Sequence, residues 1–282
     1  MANNTPFLGI NTLLNRLATA YRSLFVAPPM EVWQAFTNLT TAVLPILAEG
    51  NAPYHTVDHT LQVLWAGQML LDGKQIREGS VTPKDWLTVM GALLCHDLGY
   101  CRGVCQQDCP CQHHYSTGWG DELVQLPAGS SDALLAPYHI ERGQQFVRQR
   151  LAHRPLFDAD AMVACIEMTR FPVPELPAYQ DTTGYGSLCR AADLLGQLGD
   201  ARYLQRLPDL FEELQAVGWH QHWGYRSVED LRRSYPQFFW QVAYPHLQPY
   251  LTYLGTTKVG CQLIARLYTN VCVVNIGQRQ SA

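Results

Sequence analysis

Two adjacent residues with metal-binding side chains, His96 and Asp97, follow a strongly apolar stretch of the chain. The stretch begins at Thr82, which precedes a proline and, three residues on, Asp85, and this order predicts a capped helix. Apolar residues then recur at helical spacing from Trp86 onwards. A carboxylate and an imidazole at the end of a buried helix are costly to dehydrate without a partner. A metal ion is the simplest partner for this pair.

Two further segments supply residues of the same type. His55 and His59 are four residues apart, so in a helix both side chains would project from one face. Asp193 lies within an apolar helical pattern, where Arg190 is the only basic residue within a turn. With the first pair, these residues offer the mixed nitrogen and oxygen donors that suit zinc, iron, manganese, nickel or, less well, magnesium. One or two divalent ions are therefore expected as cofactor.

The order of these segments resembles that of the HD-domain superfamily of metal-dependent phosphohydrolases, which carries a His, a His-Asp pair and a distal Asp on a helical scaffold. The cyclic-nucleotide phosphodiesterase branch is the most similar. Its Tyr-His-Asn-x-x-His-Ala motif resembles residues 54–60, and its Cys-Ala-Asp-Leu motif is echoed by residues 191–194. The resemblance covers roughly residues 52–200.

The resemblance implies an all-α fold, a phosphodiesterase-like helical bundle of the HD type. It implies that His55 donates a proton to the leaving group and that Asp97 bridges two metal ions at the catalytic centre. The implied metal ligands are His59, His96, Asp97, Asp193 and, beside the second ion, His139. Two departures are visible: Tyr100 stands where the phosphodiesterases have a histidine, and Thr56 replaces their asparagine. The glutamine with which the phosphodiesterases bind a purine has no clear counterpart in this sequence.

These features predict a hydrolase in which a metal-bound hydroxide attacks phosphorus. The expected substrate is a nucleotide or another small phosphate ester, with a phosphodiester slightly favoured. A guanidinium matches phosphate geometry, so Arg102 and Arg142 are predicted to contact the substrate, and Arg170 and Arg190 are further candidates. Two alternatives stay open: a di-iron oxygenase of the HD type, which uses the same ligands, and a ligand-sensing protein without catalytic activity.

Composition narrows the class of protein. The chain of 282 residues is 47% hydrophobic and 16% charged, and its net charge of −4 gives no basic field for binding a nucleic-acid backbone. No run of 18 apolar residues occurs, and the first residues do not read as a secretory signal, so no membrane span and a cytoplasmic location are expected. Nine cysteines, an odd number, favour reduced thiols over a disulfide framework.

The predicted ligands extend from residue 55 to residue 193, so one domain over residues 1–282 must contain them all. Within it we expect bracing helices over residues 1–50, the metal-site core over 51–200 and further helices over 201–282. Residues 100–137 are expected to form an irregular insertion beside the site. The insertion is rich in cysteine and histidine and contains Cys101, Cys105, Cys109, Cys111, His113 and His114. Three interpretations of these residues stay open: unliganded thiols, a structural zinc site and a redox pair.

Overall fold

A computed structural model describes residues 5–280 and confirms the all-α fold. The helices are numbered in chain order. Their bounds are α1 Thr5–Leu24, α2 Met30–Glu49, α3 Val57–Glu78, α4 Pro83–Cys95, α5 His139–Leu151, α6 Ala159–Glu167, α7 Tyr185–Leu198, α8 Leu207–Ala216, α9 Trp219–His222, α10 Val228–Phe238, α11 Tyr244–Leu254 and α12 Lys258–Gln280. The main apolar core takes residues from α1 through to α12.

Helices α3, α4 and α7 form the centre of the molecule. Helix α3 packs against α1, α4, α7 and α11, and every residue of α4 from Trp86 to Cys95 is buried. The Trp86 indole Nε1 on α4 donates to the Gln68 side-chain oxygen on α3 over 2.8 Å. Close packing of α3 on α7 needs a glycine, since a Cβ at Gly196 would overlap the backbone of Val63. The three helices thus pack closely as one unit.

Helix α4 begins as predicted and ends slightly earlier. The Thr82 hydroxyl accepts from the Asp85 backbone, and the Asp85 carboxylate accepts from the Thr82 backbone, which is a complete capping box. The last residue of α4 is Cys95, His96 is its C-cap, and a short 3-10 turn over Leu98–Tyr100 follows. His96 and Asp97 therefore lie at the junction between the α-helix and the 3-10 turn.

The insertion after this junction is more ordered than predicted. Strands β1 (His114–Ser116) and β2 (Leu123–Gln125) form an antiparallel pair in which Tyr115 faces Val124. Two 3-10 segments, Pro110–Gln112 and Asp132–Tyr138, flank the pair. Periodicity alone did not reveal strands of three residues, because such strands are too short to show alternation.

The cysteines of the insertion form no disulfide within the part of the chain that the structure describes. Cys109 Sγ lies 3.2 Å from Cys111 Sγ, at the edge of the hairpin. Among the described residues, no group of three or more candidate metal ligands includes a cysteine of this segment.

The last third of the chain contains the predicted helices. Helix α10 continues through a π-helical turn over Phe239–Ala243 into α11, with Pro245 in the first turn of α11. Helix α12 packs against α7, α10 and α11. Its segment Lys258–Gly277 is long and apolar enough to cross a membrane by length and composition, with a mean hydropathy of 1.3, and 33% of it is buried. Core helices of soluble proteins pass the same test, so this segment is weak evidence for a membrane span.

Gly99 allows the 3-10 turn to touch the start of α5. A Cβ at this position would overlap the backbone carbonyl of His139, and backbone atoms cannot rotate away. We expect Gly99→Ala to lower the free energy of unfolding by about 3 kcal/mol, as overpacking of a tight site does. Chemical denaturation of both proteins measures the change. The control is Gly255→Ala, whose Cβ would meet its nearest neighbour at an ordinary 3.5 Å. Equal stability of the two variants would contradict the described contact.

Candidate metal centre

Three central helices bring four ligand-type side chains to one point. His59 lies in the first turn of α3, His96 and Asp97 at the end of α4, and Asp193 in the middle of α7. The packing of α3 on α4 and α7 is apolar, so each helix presents these polar residues where its apolar surface ends. The structure therefore brings together residues that are separated by up to 134 positions in the sequence, the difference between 193 and 59.

The side-chain atoms lie within the distances that a shared cation requires. Asp97 Oδ2 lies 3.4 Å from His59 Nε2 and 3.0 Å from His96 Nε2. Asp193 Oδ1 lies 3.2 Å and 3.5 Å from the same two nitrogens. His59, His96 and Asp193 form one group of candidate metal ligands, and His55, His59 and Asp97 form a second that shares His59. Both groups combine imidazole nitrogens with carboxylate oxygens.

Two of these atoms are buried without a hydrogen-bond partner, His96 Nε2 and Asp97 Oδ2. They are close to each other, but their geometry is not that of a hydrogen bond. His96 Nδ1 lies 2.6 Å from the Leu93 carbonyl and donates to it, so Nε2 is the nitrogen that faces the carboxylates. Buried polar atoms nearly always have a partner, and a cation between these two would supply it. The residues present thus fit a metal ion.

The charges of the cluster point the same way. Burial disfavours the ionised carboxylate of Asp97, but His96, His55 and His59 outweigh it and hold the pKa of Asp97 below its usual range. The pKa of Asp193 is likewise lowered, because contacts with His59 and His96 overcome its burial. Both carboxylates are therefore ionised at neutral pH, and they present two negative charges to the point where the four side chains meet.

His55 lies two residues before α3, which begins at Val57, so it does not share a helix with His59. It still faces His59, with 5.4 Å between the ring centroids. Its orientation comes from Glu213 on α8, which lies 2.5 Å from His55 Nδ1 and also accepts from the backbone N–H groups of Tyr54 and His55. Burial lowers the pKa of His55, but Glu213 and the carboxylates of the centre outweigh it and raise the pKa to about 9.

Sequence reasoning missed Glu213. Its partner is 158 residues away, and no local motif marks it. The only signal is that it is an acid beside the apolar positions Phe211 and Leu214 of α8, and the structure buries it to 4% exposure. That position would also suit an ordinary acid at the margin of an apolar helix face.

Tyr100 fills the space between His55 and His139. Its ring stacks on His55 at 4.4 Å and 11°, and it lies 4.7 Å from the His139 ring on the other side. Burial, followed by the nearby carboxylates, raises the pKa of Tyr100 well above 10, so the phenol stays neutral. His139 Nδ1 lies 2.6 Å from the Ala136 carbonyl, and His139 belongs to neither group of candidate ligands among the described residues. His139 thus lines the cavity next to Tyr100 and outside both groups of candidate ligands.

A cavity of about 430 Å³ opens onto the centre. Its polar end carries His55, His96, Asp97 and Asp193, and aromatic side chains from the C-terminal third line much of the rest. The volume lies within the range of small-molecule binding sites. The centre is therefore open to a ligand from one side.

The sequence matches the model of the family described as Npun_R2479-like over residues 3–277. The chain belongs to this family. The match covers nearly the whole sequence and includes every residue of the centre. No curated protein matches the sequence.

In this Npun_R2479-like protein, Arg142 does not contact the cavity, and its prediction as a substrate ligand is wrong. The side chain is fully buried. Its Nε donates to the Gly99 carbonyl, and both terminal nitrogens bind the Asp108 carboxylate at 3.1 Å. The remaining donors reach the carbonyls of Ser116 and Cys101. All five N–H groups are thus used within the protein, and Arg142 clamps the insertion to the turn that follows the centre.

Arg102 is also placed elsewhere, contrary to its predicted contact with substrate. Its Nε lies 2.8 Å from Asp132 Oδ1, and a terminal nitrogen donates to the Ser130 carbonyl over 2.5 Å. The guanidinium lies 5.4 Å from the centre of the Tyr115 ring. Sequence spacing cannot reveal these partners, because each belongs to the folded insertion. The two remaining candidates, Arg170 and Arg190, do line the cavity.

The His55–Glu213 pair gives a prediction about protonation. We expect Glu213→Gln to lower the pKa of His55 from about 9 toward the ordinary value near 6.5, because the negative charge that favours the imidazolium is removed. An NMR titration of the imidazole C–H signals of metal-free protein measures this. The control is Glu212→Gln, which changes an exposed neighbour on α8. An unchanged His55 pKa in Glu213→Gln would contradict the pairing.

The Arg142 clamp gives a prediction about stability. We expect Arg142→Lys to reduce the free energy of unfolding by about 3–5 kcal/mol, because a lysine cannot satisfy Asp108 and three carbonyls together and leaves a buried carboxylate poorly compensated. Thermal and chemical denaturation give the value. Arg148→Lys, on the exposed side of the same helix, is the control and should change stability by no more than about 0.5 kcal/mol.

Proposed function

We propose that this protein is a metal-dependent phosphohydrolase of the HD type. The observation that carries the proposal is the convergence of His59, His96, Asp97 and Asp193 on one point at the end of an open cavity. The unpartnered buried atoms at this point support a bound cation. The order of the four residues along the chain, and the His55 segment before them, support the HD assignment over other metalloenzymes.

The same four side chains would hold the ion. Two imidazoles and two carboxylates suit zinc, manganese, iron or nickel, and two ionised carboxylates balance the charge of one divalent ion. When bound, such an ion supplies a Lewis acid that activates water and neutralises charge on phosphoryl oxygens. Tyr100 lies between His55 and His139, in the position where the phosphodiesterases place a further histidine, and this favours one ion over two.

His55 is the proposed proton donor to the leaving oxygen. Glu213 fixes its Nδ1–H, so the ring has one orientation and Nε2 carries the proton that can be donated. The raised pKa keeps the imidazole protonated at neutral pH, and the stacked Tyr100 ring limits its rotation. Glu213 and Tyr100 thus position His55, while His55 itself contacts the substrate.

The proposed substrate is a nucleotide or another small phosphate ester, with a phosphodiester slightly favoured by the His55 segment. The cavity supports a small molecule, because its volume of about 430 Å³ suits a ligand of that size. The net charge of −4 offers no extended basic surface for a polymer. The aromatic side chains of the cavity wall would contact the organic part of the ester.

Substitutions at the centre separate metal binding from proton transfer. We expect His96→Ala to lose both bound metal and turnover, because it removes one ligand and leaves Asp97 without its partner. His55→Ala should keep the metal and lose turnover by about 10²–10⁴-fold, the usual contribution of a general acid. Elemental analysis of the purified proteins and assays against a panel of phosphomonoesters and phosphodiesters measure both effects.

His153→Ala, an exposed histidine after α5, is the control and should match the unsubstituted protein in both assays. Full activity of His55→Ala would refute its role as proton donor. Iron at the centre, with oxygen consumption and no phosphoester hydrolysis, would replace the proposal with the oxygenase alternative. A protein that binds no metal from any of the candidate ions would favour a ligand-sensing role.

A further inference from the structure

Arg190 is a buried guanidinium whose described partners are all neutral. The residue is 3% exposed and lines the cavity. Its Nε donates to the Met168 carbonyl and one terminal nitrogen to the Tyr179 carbonyl, both over 2.8 Å. Weaker contacts at 3.5 Å join it to His246 Nδ1 and to the Met168 sulfur. These contacts hold the group in place without neutralising its charge.

Arg170, the other arginine of the cavity, has the opposite surroundings. Its guanidinium lies 2.7 Å from a Glu141 oxygen and 2.6 Å from a Glu167 oxygen, so two carboxylates neutralise it. For Arg190, the described residues provide no carboxylate in ion-pair contact, and Asp181 attracts it only as a minor, more distant charge. Of the two arginines in the cavity, Arg190 alone has a charge available to a ligand.

The metal centre does not supply the missing negative charge. Asp97 and Asp193 balance one divalent ion between them, so neither has charge to spare for Arg190. A charged group out of water is stabilised only when it is paired or well hydrogen-bonded, and charge-assisted pairs with anions are the strongest of these contacts. An anionic group of a ligand in the cavity would complete the surroundings of Arg190.

The helix places this anion apart from the reacting phosphoryl group. Arg190 and Asp193 are one turn apart on α7, a spacing of about 5–6 Å between Cβ atoms. Side chains on a helix lean toward its N-terminus, so Arg190 extends away from Asp193. One of its partners, Met168, lies against Gly186 in the first turn of α7, which agrees with this direction. The guanidinium therefore extends toward the start of α7, away from Asp193.

An aromatic surface of the same cavity suits the part of the ligand between the two charged ends. Phe171 lies 6.3 Å from Trp223 and 5.8 Å from Phe238, measured between ring centroids, and all three line the cavity. We propose that Arg190 binds a second anionic group of the substrate, a carboxylate or phosphate carried on an aromatic or apolar frame. This inference rests on the proposed function for the first anionic end, and it names the class of phosphate ester that the site takes.

The test uses three small ligands and isothermal titration calorimetry. Phenylphosphonate carries one anionic end, para-carboxyphenylphosphonate carries both, and benzoate carries only the end assigned to Arg190. With zinc-loaded protein, we expect the bifunctional ligand to bind at least about tenfold more tightly than phenylphosphonate, as a charge-assisted pair provides. Arg190→Gln should reduce this ratio to about one and leave the affinity for phenylphosphonate unchanged.

Controls keep the result independent of folding and of the metal. Arg150→Gln removes an exposed arginine and should retain the ratio, and Arg190→Lys, which keeps the charge without the planar fork, should give an intermediate ratio. Benzoate should bind the metal-free unsubstituted protein and should not bind metal-free Arg190→Gln. This benzoate measurement tests the anion site at Arg190 even if the phosphohydrolase proposal fails.

A ratio near one in the unsubstituted protein would overturn the inference, and that measurement needs no variant. Benzoate binding that is equal in metal-free Arg190→Gln and the unsubstituted protein would also overturn it. If neither phosphonate binds the zinc-loaded protein while benzoate binding depends on Arg190, the proposed function fails and the anion site stands.

Discussion

The structure depends on one electrostatic constraint. Two carboxylates and two imidazoles converge where α3, α4 and α7 meet, with each carboxylate 3.0–3.5 Å from both imidazoles, and only Asp193 among them is partly exposed. Such a cluster is stable only when charge and hydrogen-bonding capacity are balanced locally. The apolar core that surrounds α4 makes this requirement strict, because it removes the solvent that would otherwise screen the charges.

The cavity places negative charge and positive charge at different positions along its wall. At the polar end of the cavity, the centre offers ionised carboxylates. His55 lies beside them, and Glu213 accepts a hydrogen bond from its Nδ1. One turn before Asp193 on α7, Arg190 presents a positive charge among neutral acceptors. Aromatic rings, many from the C-terminal third, line much of the rest of the cavity. A molecule that fits must therefore carry its charges at defined positions, which is how a small site becomes selective.

Local sequence signals predicted the helices and the four convergent residues. Features that depend on contacts between distant parts of the chain could not be predicted. The capping box at Thr82 and the periodicity of α4 are local, so both were readable. The hairpin of the insertion was not, because its strands have three residues each. Arg142 illustrates the main error: a guanidinium near a predicted site suggests phosphate, yet its five donors are satisfied by partners that only the folded chain assembles. Glu213 was missed for the same reason.

The contacts of Arg142 limit how the length and sequence of the insertion can vary among members of the family. Surface insertions usually vary in length among related proteins without effect, since few contacts tie them to the scaffold. Here one guanidinium joins Asp108 and Ser116 of the insertion to the carbonyls of Gly99 and Cys101, directly after the centre. Residues between Cys101 and Ser116 are therefore expected to resist deletion and to change in concert with α5. Gly118 is expected to be constrained as well, because a Cβ there would overlap Glu141, while the exposed tip at residues 119–123 is free to diverge.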